Sequence, residues 1–194
     1  MVAELEKNTT AMFSRLVEVI ADLRSGKFDD PEAQTSTVLG HLATTGAAYD
    51  DVAEKAKRFK SYQELFGVVV SNYSDVEQAA KELTVHRNKW GQLHEFEVAL
   101  DSWMSAACRE LDPQAVQAKV DELVKANYKM LKSRKDDAVV TRLKRELDEF
   151  KQKMPLIAEV SNPALEQRHW AQIFAVLGQP FDPETPFCVK DLIG

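Results

Sequence analysis

The sequence predicts an all-α chain, an elongated array of antiparallel helices, and three observations carry that expectation. Glycine and proline number only 7 each in 194 residues, too few for the turns that many short strands require. The strong helix formers Ala, Leu, Glu, Lys and Gln are plentiful. Apolar residues recur at spacings of three and four along most of the chain, the period of helices that each bury one stripe. With 44% hydrophobic and 29% charged residues, the chain is apolar enough to fold around a core.

The first helix is expected from about Val2 to Ser25, with Met12, Phe13, Leu16, Ile20 and Leu23 on one face and Gly26 as its stop. After a turn at Phe28 to Pro31, a second helical stretch runs to about Phe66 and carries Val38, Leu42, Tyr49, Val52, Ala56, Phe59 and Leu65. Gly40 and Gly46 predict a break or kink in its first half. Ser74-Asp75-Val76-Glu77 reads as a capping box. A long helix should start there, with Leu83, Trp90, Leu93, Leu100, Trp103 and Ala107 along its seam.

Asp112-Pro113 supplies an N-cap and a first-turn proline for a shorter helix through Val116, Val120 and Leu123. From about Asp137 the next helix carries Val140, Leu143, Leu147, Phe150 and Met154, and Pro155 is expected to end it. Asn162-Pro163 repeats the cap-plus-proline start, with Leu165, His169, Ile173 and Leu177 on one face up to Gly178 and a loop from Gln179 to Pro186.

A formal charge of −6 and a pI near 5.3 argue against a nucleic-acid binder, which needs a basic surplus to neutralise phosphates. No apolar run approaches the length that spans a bilayer, and the amino terminus lacks a signal-peptide pattern. A soluble, non-secreted protein is expected. Cys108 and Cys188 stand far apart with no ligand spacing, so reduced thiols in an intracellular compartment are the simpler expectation.

No catalytic, metal or cofactor chemistry is legible. Gly26-Lys27 lacks the glycine and hydroxyl residues of a phosphate-binding loop. His169 beside Trp170 has no second His or Cys within a helical turn, and His86 and His94 are too distant along one helix to share a zinc. The acid pairs Asp29-Asp30, Asp50-Asp51 and Asp136-Asp137 read as capping residues near helix starts. Trp90, Phe96 and Trp103 read as core, and Lys132-Ser133-Arg134-Lys135 as a solvated connection. The sequence stops at Asp191-Leu192-Ile193-Gly194, soon after an apparent new element, which points to a piece of something longer.

The carboxy-terminal third holds an ordered series: Phe150, Met154-Pro155-Leu156-Ile157, Asn162-Pro163-Ala164-Leu165, Arg168-His169-Trp170 and Gly178. It resembles dynein heavy chains, where a similar series leads into the linker. Tyr62-Gln63-Glu64-Leu65-Phe66, Trp90 to Leu93, Trp103 and Leu111-Asp112 agree more loosely, so the resemblance covers about Phe59 to Gly194. The departure is Phe187-Cys188-Val189-Lys190-Asp191-Leu192, where the family more often has a Thr-Leu pair.

The resemblance implies a mechanical role. Residues 1–72 would be a distal tail-like bundle segment and residues 73–194 the N-terminal part of the linker, the helical arch that swings across the AAA+ ring. ATP hydrolysis would belong to the ring, whose Walker motifs lie downstream, and no cofactor is implied for this segment. The implied partners are the rest of the heavy chain, with intermediate and light chains as neighbours and microtubules reached indirectly. An axonemal form in the cilium or flagellum is expected over a cytoplasmic one. Phe150, Pro155, Leu156, Asn162, Pro163, Leu165, Arg168, His169 and Trp170 would then be structural family positions. The heptad-like stretches alone also permit a spectrin-like or coiled-coil scaffold.

Overall fold

A computed structural model describes residues 1–176, 178, 182 and 187–193. The described chain is all-α: α1 (Val2–Leu23), α2 (Thr35–Leu65), α3 (Ser74–Ser105), α4 (Pro113–Ser133), α5 (Ala138–Val160), α6 (Gln167–Val176) and α7 (Val189–Ile193). One isolated antiparallel bridge, Ala107 to Cys188, is the β-pairing among the described residues. Leu177 and most of the predicted 179–186 loop lie outside the described residues. The chain forms two compact units, Met1–Gly91 and Gln92–Gly194, divided within α3.

In the first unit α1 buries Leu5, Met12, Leu16, Val19 and Leu23. Arg24 leaves the helix and Gly26, at φ +86°, turns the chain in the left-handed region that glycine enters without a Cβ clash. α2 then returns antiparallel to α1. Asp22 near the end of α1 accepts a hydrogen bond from Thr45 Oγ1, while Val2 and Leu5 line one groove with Gln63 and Val68 at the far end of α2. The part of α3 up to Gly91 follows α1 in the same direction, with Tyr73 against Phe13 and Glu82 on Arg24.

Gly40 and Gly46 do not interrupt α2, which is continuous over 31 residues. Packing overrides the local propensity cost. Gly46 is buried, and a Cβ there would stand 2.0 Å from Arg87 Nη2 of α3, so the missing side chain makes room for that guanidinium. At the start of α3, Asn72 Oδ1 accepts from the Ser74 N–H at 2.9 Å, and Ser74 is already the first residue of the helix. Asp50 and Asp51 lie in the middle of α2 and cap nothing; Asp51 pairs with Lys55 one turn on.

In the second unit the caps at α4 and α5 form as the sequence requires. Asp112 Oδ1 accepts from Gln114 and Ala115 N–H groups, with Pro113 first in α4, and Asp137 Oδ1 accepts from Val139 and Val140. α4 and α5 run antiparallel, joined at one end by Asn127 Nδ2 donating to Val140 O at 3.0 Å and at the other by Lys151 with Asp121 at 3.6 Å. The basic Lys132 to Lys135 stretch is exposed where they connect.

Pro155 does not end α5, which continues to Val160. The proline ring is exposed and costs one backbone hydrogen bond, while Ile157 and Val160 remain buried and hold the final turn. α6 also starts later than expected. Asn162 Oδ1 accepts from Ala164 N–H in a tight turn, and the helix begins only at Gln167.

Two glycine substitutions separate propensity from packing. Gly40→Ala, whose added Cβ meets open space, should stabilise by about 0.5–1 kcal/mol in urea unfolding. Gly46→Ala should gain less, because Arg87 must swing aside; an equal gain at both positions would show that the Arg87 contact has no weight.

Candidate functional site

The described residues assemble three interhelical joints, and each pins a connection or a helix end to a neighbouring helix. The first is made by the α1–α2 connection. Its Phe28 is fully buried, and the Trp90 indole N–H donates to the Phe28 carbonyl at 2.9 Å. Lys89, whose side chain is 1% exposed, donates to Asp29 at 2.6 Å, and His86 lies on the Phe28 ring with centroids 5.1 Å apart.

A buried ammonium without its carboxylate is costly, so Lys89 and Asp29 fix the register of the connection on α3. Sequence inspection assigns Asp29 to capping and misses this pairing. The signal available was weak: Lys89 adjoins Trp90 on a buried face, but its partner lies 60 residues away.

Two further carboxylates steady the same unit. Burial alone would raise the Asp22 pKa, yet hydrogen bonds from Lys27 and Thr45 and the charges of Lys27 and His41 bring it below its usual 3.8. The Arg24 hydrogen bond holds Glu82 below its usual 4.5. Both folded values are depressed, so their contribution is present at neutral pH and is lost as acid protonates them.

The second joint is aromatic. Within the second unit Trp103 stacks on Phe150 with centroids 5.2 Å apart, and Phe96 meets the same ring edge-on at 6.2 Å. α5 supplies Phe150 at the centre of an apolar series through Leu143, Leu147, Met154 and Ile157, all buried. Arg142 bridges Glu97 of α3 and Glu146 of α5 beside it.

The third joint closes the end of α3. The Cys108 N–H donates to Phe187 O at 2.8 Å and the Val189 N–H to Ala106 O at 3.2 Å, framing the Ala107–Cys188 bridge. Phe187 contacts both Trp170 and Phe174, which form the buried face of α6, and the Arg109 guanidinium lies 5.3 Å from the Trp170 ring. Trp170 is 2% exposed, and its indole N–H has no acceptor among the described residues. This joint brings the cysteines Cys108 and Cys188 into one neighbourhood despite their separation in sequence. Burial, with smaller contributions from Cys188 and Asp191, pushes the Cys108 thiol up to about 11.

The nine positions singled out from the sequence fall into different settings. Phe150 and Trp170 are buried at the second and third joints. Asn162 makes its turn, His169 Nδ1 accepts from the Glu166 N–H at 3.0 Å, and Arg168 pairs with Glu166 at 2.9 Å. Pro155, Leu156 and Pro163 are exposed, and Leu165 is half-buried beside an open groove. Among the described residues no three His, Cys, Asp or Glu side chains converge as metal ligands, and no helix is long and apolar enough to cross a membrane.

Residues 76–194 match the family described as dynein heavy chain, N-terminal region 2. The chain belongs to that family. Human dynein axonemal heavy chain 6 is 29% identical over 143 residues, 73% of this chain and 3% of that protein. Human dynein axonemal heavy chain 8 is 28% identical over 164 residues, covering 84% of this chain and 4% of its own length. The dynein-1-beta heavy chain of the flagellar inner arm I1 complex of Chlamydomonas reinhardtii is 26% identical over 154 residues, 79% of this chain and 3% of that protein. This dynein heavy-chain segment thus spans a few hundredths of the length of the relatives it matches.

Two measurements test the third joint. Trp170→Ala should destabilise by roughly 3–5 kcal/mol in denaturant unfolding, through lost transfer energy plus a cavity; a loss below about 1 kcal/mol contradicts the burial. With a disulfide thiol reagent at pH 8, Cys188 should react in the native state while Cys108 reacts only on unfolding. For the first unit, urea midpoints should fall as pH is lowered through the depressed values of Asp22 and Glu82. Asp22→Asn with Glu82→Gln should flatten that acid limb.

Proposed function

We propose that this chain is a non-catalytic mechanical segment of its heavy chain, located where the cargo-binding tail runs into the linker, and that it transmits the linker swing. On this proposal residues 1–72 serve the tail and residues 73–194 the linker. The observation that carries it is the family match together with what the matched residues build. Within residues 76–194 the buried side chains form interhelical seams, with Phe150 tying α3 to α5 and α5 burying a residue every three or four positions.

The physical argument is stiffness. A helix in isolation bends easily, whereas helices with interlocked side chains resist bending because close-packed interiors deform little. α3 alone would extend roughly 48 Å at 1.5 Å per residue. Strain entering such a seam leaves at its far end rather than dissipating in loops.

ATP turnover on this proposal belongs to AAA+ modules elsewhere in the heavy chain, and the working context is the axoneme of a cilium or flagellum, a reading supported by its similarity to axonemal and flagellar inner-arm heavy chains. Intermediate and light chains would be neighbours in the assembled motor, and microtubules are reached only through the rest of the polypeptide.

The test uses the intact motor. Leu147→Ala with Phe150→Ala removes buried volume from the α5 seam at a cost of a few kcal/mol per site. Microtubule gliding should slow severalfold while basal ATP turnover of the ring is retained. Unchanged gliding rejects the strain relay, and a parallel fall in basal turnover assigns the segment a part in the chemistry instead.

A further inference from the structure

We propose that the outer face of the second half of α4, with the connection that follows it, binds an extended acidic segment of another polypeptide, one with Glu or Asp at alternate positions. From Leu123 to Lys135 the chain carries Lys125, Lys129, Lys132, Arg134 and Lys135 and no Asp or Glu, in a protein whose formal charge is −6. All five cations are exposed. The buried stripe of α4 runs through Val116, Val120, Leu123 and Asn127. At 3.6 residues per turn, Lys125, Lys129 and Lys132 fall on the opposite side and form one row.

The row has no counter-charge of its own. None of the five cations forms an ion pair among the described residues, whereas Lys119 in the same helix is engaged by Glu95 and Glu122. Tyr128, 59% exposed, flanks the row, and the Lys132 ammonium lies 4.9 Å from the centre of its ring. That contact holds the ammonium in place while its other side faces water. Like charges three and four residues apart work against the helix that carries them, and a bound polyanion removes that cost.

Spacing and extent set the class of partner. Lys125 and Lys132 are separated by about 10 Å along the axis. In an extended chain alternate side chains point the same way at intervals of about 6.6 Å, close to the roughly 5.4 Å between successive helix turns. Three alternate carboxylates therefore meet three lysines, whose flexible stems take up the difference. Asp121 and Glu122 stand at one end of the row and Asp136 at the other. A nucleic-acid duplex or a bilayer surface, charged over far greater lengths, would meet those acids as well. A single extended peptide need not. The proposal requires neither the strain relay nor family membership.

The test follows the fluorescence anisotropy of a labelled oligoglutamate of about ten residues, roughly 33 Å when extended, titrated with residues 1–194. It is run at about 0.1 M ionic strength, where charges more than roughly 10 Å apart are largely screened. Saturable binding is expected, weakening as salt is added. Lys125→Gln with Lys129→Gln and Lys132→Gln should raise Kd at least about tenfold, and arginine at the same three positions should restore it, with the unfolding midpoint unchanged in both variants. Lys57→Gln with Arg58→Gln and Lys60→Gln, which removes the same charge from exposed positions of α2, should change Kd less than about twofold.

A Kd unmoved by the α4 glutamines, or raised equally by those in α2, overturns the proposal. So does the absence of binding up to about 1 mM. Tighter binding of a mixed-sequence DNA duplex or of phosphatidylserine vesicles than of the oligoglutamate, lost in the α4 glutamine variant, assigns the row to another polyanion and equally overturns it.

Discussion

No helix of this chain can cover its own apolar stripe, and that constraint organises everything described above. Each stripe is narrow, set by residues three and four apart, and water leaves it only when another helix or a connection lies along it. The chain meets the constraint in two ways. α1 with α2, and α4 with α5, cover each other as antiparallel neighbours. Elsewhere a short connection folds back as a plug, as Phe28 does on α3.

Polar groups at these seams set register rather than supply most of the stability. Lys89 with Asp29, Asn127 with the Val140 carbonyl and Gln63 with the 71–73 turn each tie a buried or half-buried group to a particular segment. A slip by one turn would leave those groups unsatisfied in an apolar setting. Apolar contacts alone tolerate such slips far better.

Fold class, the number of long helices and the caps at Asp112 and Asp137 were legible because they rest on local chemistry: side-chain period, a short acceptor side chain and a first-turn proline. The errors arose where tertiary packing outweighed local preference. Gly46 reads as a weak helix residue until Arg87 is seen beside it, and Pro155 reads as a terminator until Ile157 and Val160 are seen to be buried beyond it. The three joints were legible only in part. Trp90 and Phe96 were legible as core by size and spacing, and Trp103, read the same way, is half-buried on Phe150, but the pairing of Asp29 with Lys89 and the approach of Cys188 to Cys108 join segments far apart in the chain, where no local rule applies.

Pro155 carries a mechanical corollary for α5. Lacking an N–H, it leaves the ladder one rung short opposite Lys151, on the solvent side of an otherwise continuous helix. The turn that ends at Val160 is therefore held by the burial of Ile157 and Val160 rather than by an unbroken backbone ladder.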